Sequence, residues 1–471
     1  MRTRLALLFP LLLIPNATSP SLPADEAPIA VQSTDHQDPD IERALAGMVS
    51  EVRMQETVRR LTAFGPRMGG TSSGDAAAEW LAGMFSQAGL EVEIREDAEV
   101  DFHEEDEWEV SVVDGATLTM AWPNGGSPSV EGTGPLSLTP AEGAVWLTSE
   151  NPSPEDAAGC LAVLHEARPS PSGWPTPGRL RGEWSTPVFR IAPDEATALR
   201  AGLEEDPDTR IRVSLIARTG RGRPKTVVAT LPGRDRSRYF IFSAHGDSDA
   251  GGPGADDNAS GVAVVLEIGR VLSDAVQSGL IDRPAYDIRF ISWGTEIGST
   301  RQYVQKVSDE EPRLQGVINY DQAGFGSWRD ALYFEPDDVP VNSGIITLIR
   351  SVASDHLNQE GFPQHFASTR SQGGTDSYVF QSERVVGDDI VPSITVYTSA
   401  WNRLNPLPVT LGFEPVNWYE DEEEGMVSVD GDAFYHSAGD TPENTTDKEP
   451  WNMGWCARVG LLTARRFIDV G

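Results

Sequence analysis

The chain has 471 residues, 39% of them hydrophobic, enough for a large core and too many for one ordinary domain, so two domains are expected. Against 37 Lys and Arg stand 72 Asp and Glu, a formal net charge of −35. Such a chain repels phosphate backbones and anionic lipid, which excludes nucleic acid and membrane surfaces as partners.

Residues 1–24 place Arg2 and Arg4 ahead of LALLFPLLLIP and then small and polar residues, the layout of a secretory signal peptide. The apolar run is too short to span a bilayer and is interrupted by Pro10 and Pro15. The protein is therefore expected to be exported, secreted or periplasmic. Asp25 to Asp40 is polar and reads as a lead segment. Apolar residues at helical spacing predict a helix over 41–62, then a turn-rich loop, FGPRMGGTSSG, and a second helix from Asp75 to Ala88. Arg67 in that loop reads as a buried salt-bridge partner that holds it, with a substrate contact as the other reading.

Between Phe102 and Thr219 the texture changes. Short β-like runs (EWEVSVV, GAVWLT, GCLAVLH, TPVFRI, RIRVSLIA) alternate with Pro, Gly and Ser clusters such as PSPSGWPTPG, and one helix is predicted from Asp194 to Glu204. His103 and His165 lie here without partners at ligand spacing, so neither is given a catalytic role. Cys160 and Cys456, far apart in separate apolar stretches, read as buried thiols and not as a disulfide framework.

The stretch from Tyr239 to Gly261, YFIFSAHGDSDAGGPGADDNASG, organises the rest. It predicts a buried strand (Tyr239 to Ser243), a loop delivering His245, Asp247, Asp256 and Asp257, and a helix from about Ser260. Imidazole and carboxylate at a strand end suit zinc, and Asp247 is placed to hold the other ring nitrogen of His245. Further strands are predicted at Ala285 to Trp293, followed by Glu296, and at Gly316 to Tyr320, followed by Asp321. A helix over Asn342 to Glu360, a strand from Pro392 to Tyr397 and a closing helix from Trp451 to Phe467 complete the order, which implies a mixed, mostly parallel sheet covered by helices on both faces. The acidic run Glu420 to Glu424 lacks the alternation of a calcium loop and reads as solvated.

His245-Gly-Asp at a strand end, Gly-Ala-Asp-Asp-Asn-Ala-Ser-Gly opening a helix, and His436-Ser-Ala-Gly-Asp440-Thr441 before the last helix together resemble the zinc exopeptidase family of bacterial leucyl aminopeptidase, aminopeptidase S and carboxypeptidase Q. The resemblance implies an α/β peptidase domain over 41–101 and 220–471, interrupted at 102–219 by a β-rich insert resembling a protease-associated domain. It implies His245, Asp257, Asp321 and His436 as ligands of one or two zinc ions, with Asp257 bridging. Asp376 in GGTDS and Asp440 are carried over as supporting groups beside Asp247. The implied substrate is a peptide, cut at its N-terminus by metal-activated water.

One departure stands out. The family has two adjacent Glu after the strand ending at Trp293, the first a general base and the second a ligand, whereas here Glu296 is flanked by Thr295 and Ile297. Ungapped alignment makes Glu296 the base and puts Ile297 where the ligand belongs; alignment on Glu-Ile-Gly makes Glu296 the ligand. The first is preferred, because a deletion inside a strand flips its side chains to the other face, whereas a loop absorbs it. The missing Glu also leaves a second reading, a catalytically impaired binding protein on the same fold.

Overall fold

The computed structural model describes residues 38–168, 172–248, 251–307, 313–326, 331–357, 359–368, 370, 374–382, 390–398 and 434–468. The predicted signal peptide and the run Glu420 to Glu424 lie outside the described residues. In chain order the elements are α1 (Pro39–Met48), α2 (Glu51–Thr62), α3 (Ser72–Gln87), β1 (Glu91–Glu96), β2 (Val100–Val112), β3 (Ala121–Pro123), β4 (Val130–Ser137), β5 (Val145–Thr148), α4 (Pro154–Ala157), β6 (Ala162–Glu166) and β7 (Val188–Ile191). Then come α5 (Pro193–Glu205), β8 (Arg210–Gly222), β9 (Lys225–Leu231), β10 (Asp235–His245), α6 (Gly261–Gln277), β11 (Tyr286–Trp293), α7 (Gly298–Val307) and β12 (Arg313–Tyr320). The last are β13 (Ala331–Glu335), α8 (Ser343–Asp355), β14 (His365–Ser368), α9 (Asp376–Ser382), β15 (Ser393–Tyr397) and α10 (Trp451–Ile468).

Two sheets result. The larger has eight strands in the order β1-β9-β11-β10-β12-β15-β13-β14. Its centre is parallel, β10 pairing with β11 and β12, and β12 with β15, while β9 and β13 join antiparallel on either side. β10 is buried along Tyr239–His245, as a central strand covered on both faces must be. Side-chain alternation divides that run. Phe240, Phe242 and Ala244 enter the core under α1, α2, α3, α6, α8 and α10, whereas Tyr239 and Ile241 enter a second cluster with Tyr303 of α7 and Phe380 of α9. The second sheet takes all seven of its strands from 100–222, in the order β2-β8-β4-β5-β6-β7-β3, with a core of its own around Val145, Leu164, Phe189 and Val213.

The helix expected over 41–62 is two helices. Val49 and Ser50 are extended, Ser50 caps α2 by accepting from Arg53 N–H, and its own N–H donates to Glu267 Oε1 at 2.7 Å. Both halves still turn their apolar faces to the same core, which is why the spacing conceals the break. Both cysteines are free and buried. Among the described residues no helix is long and apolar enough to cross a membrane.

Candidate metal centre

Ligand groups in open α/β sheets collect at the carboxyl ends of the strands, and three parallel strands end together here. β10 ends on His245, β12 is followed by Asp321, and the loop after β10 returns to supply Asp257 just before α6. His245 Nε2 lies 3.2 Å from Asp257 Oδ1 and 3.5 Å from Asp321 Oδ1, and all three side chains are buried. One ligand atom of each falls within 4.8 Å of the others, and no other such trio of His, Cys, Asp or Glu occurs among the described residues. Asp321 Oδ1 is buried with no hydrogen-bond donor, although Oδ2 accepts from Thr375 Oγ1 at 2.6 Å. One imidazole nitrogen and two carboxylates, with a carboxylate oxygen buried and unsatisfied, fit zinc.

The opposite edge of Asp257 faces His436, whose Nε2 stands 3.0 Å from Oδ2. Asp257 thus lies between the two histidines. Burial pushes its carboxyl up, but hydrogen bonds from His245 and His436 outweigh that and hold it well below the usual carboxylate range. Burial likewise opposes charge on His245, and Asp321, Asp247 and Asp257 overcome it, raising the imidazole well above its ordinary value.

The acids carried over as supports each hold backbone. Asp247 Oδ1 lies 3.2 Å from His245 Nδ1 and accepts the Glu296 N–H at 3.0 Å, so one oxygen orients the histidine and pins the turn after β11. Asp440 accepts the N–H groups of Asp256 and Asp257 at 2.8 and 3.0 Å, which fixes the turn that aims Asp257. Asp376 accepts Ile297 N–H at 2.8 Å and the Thr300 hydroxyl. Arg67 makes no salt bridge among the described residues. Its buried guanidinium donates to the carbonyls of Gly246, Pro253 and Gly254, closing the loop between His245 and Asp257 at both ends. Gly254 sits at φ +60, and a Cβ on Gly252 would come 2.0 Å from the Ser437 carbonyl oxygen, so the loop needs glycine once for conformation and once for close approach.

Glu296 lies half-buried in the turn between β11 and α7. Burial first, and then the negative charges of Asp321, Asp376 and Asp257, push its carboxyl up to about 9 against the opposing pull of His245. Ile297 has a left-handed backbone (φ 57), rare for a β-branched residue, and its side chain is partly buried against the apolar cluster that includes Trp293, Tyr303 and Phe380. Gln322 and His436, each beside or within the centre, are also left-handed, at φ 52.

Residues 226–459 match the sequence profile of peptidase family M28. The chain belongs to that family. Among its relatives, an aminopeptidase of Pseudomonas aeruginosa is 33% identical over 125 residues, 26% of this chain and 20% of that protein, so the match spans about a fifth of the relative's length. Aminopeptidase YwaD of Bacillus subtilis is 26% identical over 350 residues, 69% of this chain and 71% of that protein. In fold the chain is similar to BSAP, a zinc aminopeptidase from Bacillus subtilis, with a TM-score of 0.58 and 21% identity over 88% of this chain and 94% of that one. A peptidase M28 precursor from Shewanella amazonensis gives 0.59 at 16% identity, over 92% and 96% of the two chains.

Three residues of the centre carry roles that sequence patterning does not assign. Asp256 was visible only as the neighbour of Asp257, yet its Oδ1 accepts Gly324 and Phe325 N–H, both at 2.8 Å, and shapes the loop after Asp321. Thr375, inside GGTDS, holds Asp321. Tyr435 stacks on the His436 imidazole with ring centroids 3.7 Å apart. Tyr435 is 43% exposed; partial desolvation by its packing on His436 and the negative field of Asp257 and Asp321 raise its phenol, which remains an O–H donor at neutral pH.

Proposed function

We propose that this M28 chain is an exported zinc aminopeptidase that removes N-terminal residues from peptides. The observation that carries the reading is the buried trio His245, Asp257 and Asp321 at the ends of adjacent strands, with an unsatisfied oxygen on Asp321. These residues would hold one zinc ion, and Asp257 with His436 would hold a second. Zinc bound there would supply Lewis acidity, making a water nucleophilic at neutral pH and polarising the scissile carbonyl. Glu296, whose carboxyl is raised in the metal-free chain by burial and the negative field around it, would be left ionised by the offsetting positive charge of zinc, free to take the proton from the attacking water and pass it to the departing amine. Tyr435 donates its O–H to the carbonyl oxygen as negative charge develops there. The surrounding carboxylates attract the α-ammonium of an uncapped peptide, which together with the names of the relatives favours cleavage from the N-terminus. The signal-peptide layout of residues 1–24 supports export, and a separate seven-stranded sheet within 100–222 supports reading 102–219 as a β-rich insert resembling a protease-associated domain.

The test pairs zinc analysis of the purified protein with hydrolysis of aminoacyl amides and of their N-acetylated counterparts. Bound zinc, and cleavage confined to the free amines, is expected. Asp257→Asn should lower zinc content most, since that residue faces both histidines. Metal-free protein after purification without chelators, or equal cleavage of acetylated substrates, would sink the proposal.

A further inference from the structure

An arm of the second sheet reaches the metal centre. Residues 172–180 lie between β6 and β7, and their base is tied to that sheet. Gly125 N–H donates to Gly178 O at 2.8 Å, Gly178 N–H donates to Asn124 Oδ1 at 3.0 Å, and Leu180 N–H donates to Gly125 O at 2.9 Å. The tip points elsewhere. Trp174 packs on Trp122 with centroids 5.0 Å apart, and Trp122 on Trp108 at 6.0 Å, so a ladder of three indoles runs out from the sheet. At its far end Trp174 meets Gly439, where an added Cβ would fall 2.9 Å from Trp174 Cγ and 2.8 Å from Phe434 Cδ1. Pro177 makes a second contact, 2.9 Å from where a Cβ on Gly251 would lie.

Gly439 belongs to the turn that presents His436 and Asp440. Inside the turn, Ser437 N–H and its hydroxyl both donate to Phe434 O, at 3.0 and 2.6 Å, and Asp440 N–H donates to Ser437 O at 3.1 Å. These bonds are local, and the turn is tied to the loop after β10 at its Asp440 end, where Asp440 accepts the N–H groups of Ala255, Asp256 and Asp257. His436 holds a left-handed backbone, uncommon outside glycine though more frequent for histidine than for most residues. Two further surfaces press on the turn between Phe434 and Asp440. One is the loop at Gly251 and Gly252, closely apposed to the carbonyls of His436 and Ser437, and the other is the indole of Trp174.

We propose that Trp174 is a positioning residue for His436, through which the second sheet sets the zinc affinity of the His436 side of the centre. The arm clamps the 434–440 turn against the 251–252 loop, so the imidazole meets Asp257 already oriented. This rests on the zinc reading of the preceding section, but the clamp itself exists without metal.

The experiment compares the parent with Trp174→Ala and Trp174→Phe in two measurements. In metal-free protein, amide hydrogen exchange over residues 434–440 should accelerate in Trp174→Ala and return close to the parent in Trp174→Phe, with β10 and β12 unchanged. In zinc titrations, the step abolished by His436→Ala should weaken in Trp174→Ala by about 10- to 100-fold, the range for groups that orient a ligand from behind, while the step held by His245, Asp257 and Asp321 stays put. Adding Trp174→Ala to His436→Ala should cost nothing more in zinc binding. Unchanged exchange at 434–440, or equal loosening throughout the second sheet and both zinc steps, overturns the proposal. A parent that binds no zinc sinks the proposed function instead, and the exchange measurement still decides the role of Trp174.

Discussion

Arg67→Lys should cost stability and zinc together. The guanidinium is 1% exposed and donates through Nε to Gly246 O at 3.1 Å, through Nη2 to Gly254 O at 3.0 Å, and through Nη1 to Pro253 O. Burial lowers its pKa, but only to about 10, so it is charged at neutral pH and lysine conserves the charge while removing the planar fork. An ammonium at the end of a single stem cannot serve both ends of the loop, so one or two charge-assisted bonds are lost. At about 1.5–3 kcal/mol each, the loss is about 1.5–6 kcal/mol. Urea unfolding of the metal-free protein measures it directly. The freed loop joins His245 to Asp257, so zinc affinity should fall in the same variant by roughly tenfold or more. Unfolding within about 0.5 kcal/mol of the parent, the scatter of ordinary surface substitutions, with zinc uptake unaltered, would refute the clamp.

Glu296→Gln should keep its zinc and lose at least about 10²-fold in turnover if the carboxylate carries the proton; loss of zinc, restored by excess metal, would mark it as a ligand, and an unchanged rate would remove it from the chemistry. Ile297→Glu should not raise zinc content, because that side chain packs on the apolar cluster that includes Trp293 and Phe380, and placing a carboxylate there should cost about 2 kcal/mol or more; a gain in bound zinc would contradict that packing. Glu42 is pushed up by burial, but hydrogen bonds from His356 and Arg466 and the charges of Arg466 and Arg465 bring it down to about 2. A depressed carboxyl stabilises the fold above its unfolded value near 4.5 and loses that contribution as pH falls toward 2, so Glu42→Gln should flatten the acid limb of a pH–stability curve. Identical limbs would refute the ion-pair cluster at α1 and α10.

What could be read in advance were features that depend on side-chain type. The apolar run of β10, and imidazole or carboxylate after β10 and β12, announce a central strand and its ligands directly. What escaped depends on backbone. Arg67 is held by three carbonyls, and since every residue carries a carbonyl, composition could not distinguish them from salt-bridge partners. The break at Ser50 keeps the apolar stripe in phase, so periodicity passes over it, and the glutamate that receives its N–H lies 217 positions away. The left-handed turn at Ile297 carries its side chain against the cluster that includes Trp293 and Phe380, which alignment along a strand does not show. The arm around Trp174 is rich in Pro and Gly and reads as a spacer, because only the meeting with Gly439, more than 260 positions later, gives it a purpose.

The two sheets also differ in when their parts become available during synthesis. All strands of the seven-stranded sheet lie within 100–222, whereas the eight-stranded sheet pairs Glu91 with Thr230 and rests its first helix on its last, with Glu42 held by Arg466. At about 5–20 residues per second, the ribosome delivers α10 roughly 12–50 s after β8. Over that interval the seven-stranded sheet can fold to completion, while Leu45, Val58 and Phe85 of the first three helices wait first for α6 and then, far longer, for α10 to complete the core that buries them. A nascent chain stalled ahead of α10 would carry a finished module beside an open, adhesive half, which makes the C-terminal helix the step on which escape from aggregation turns.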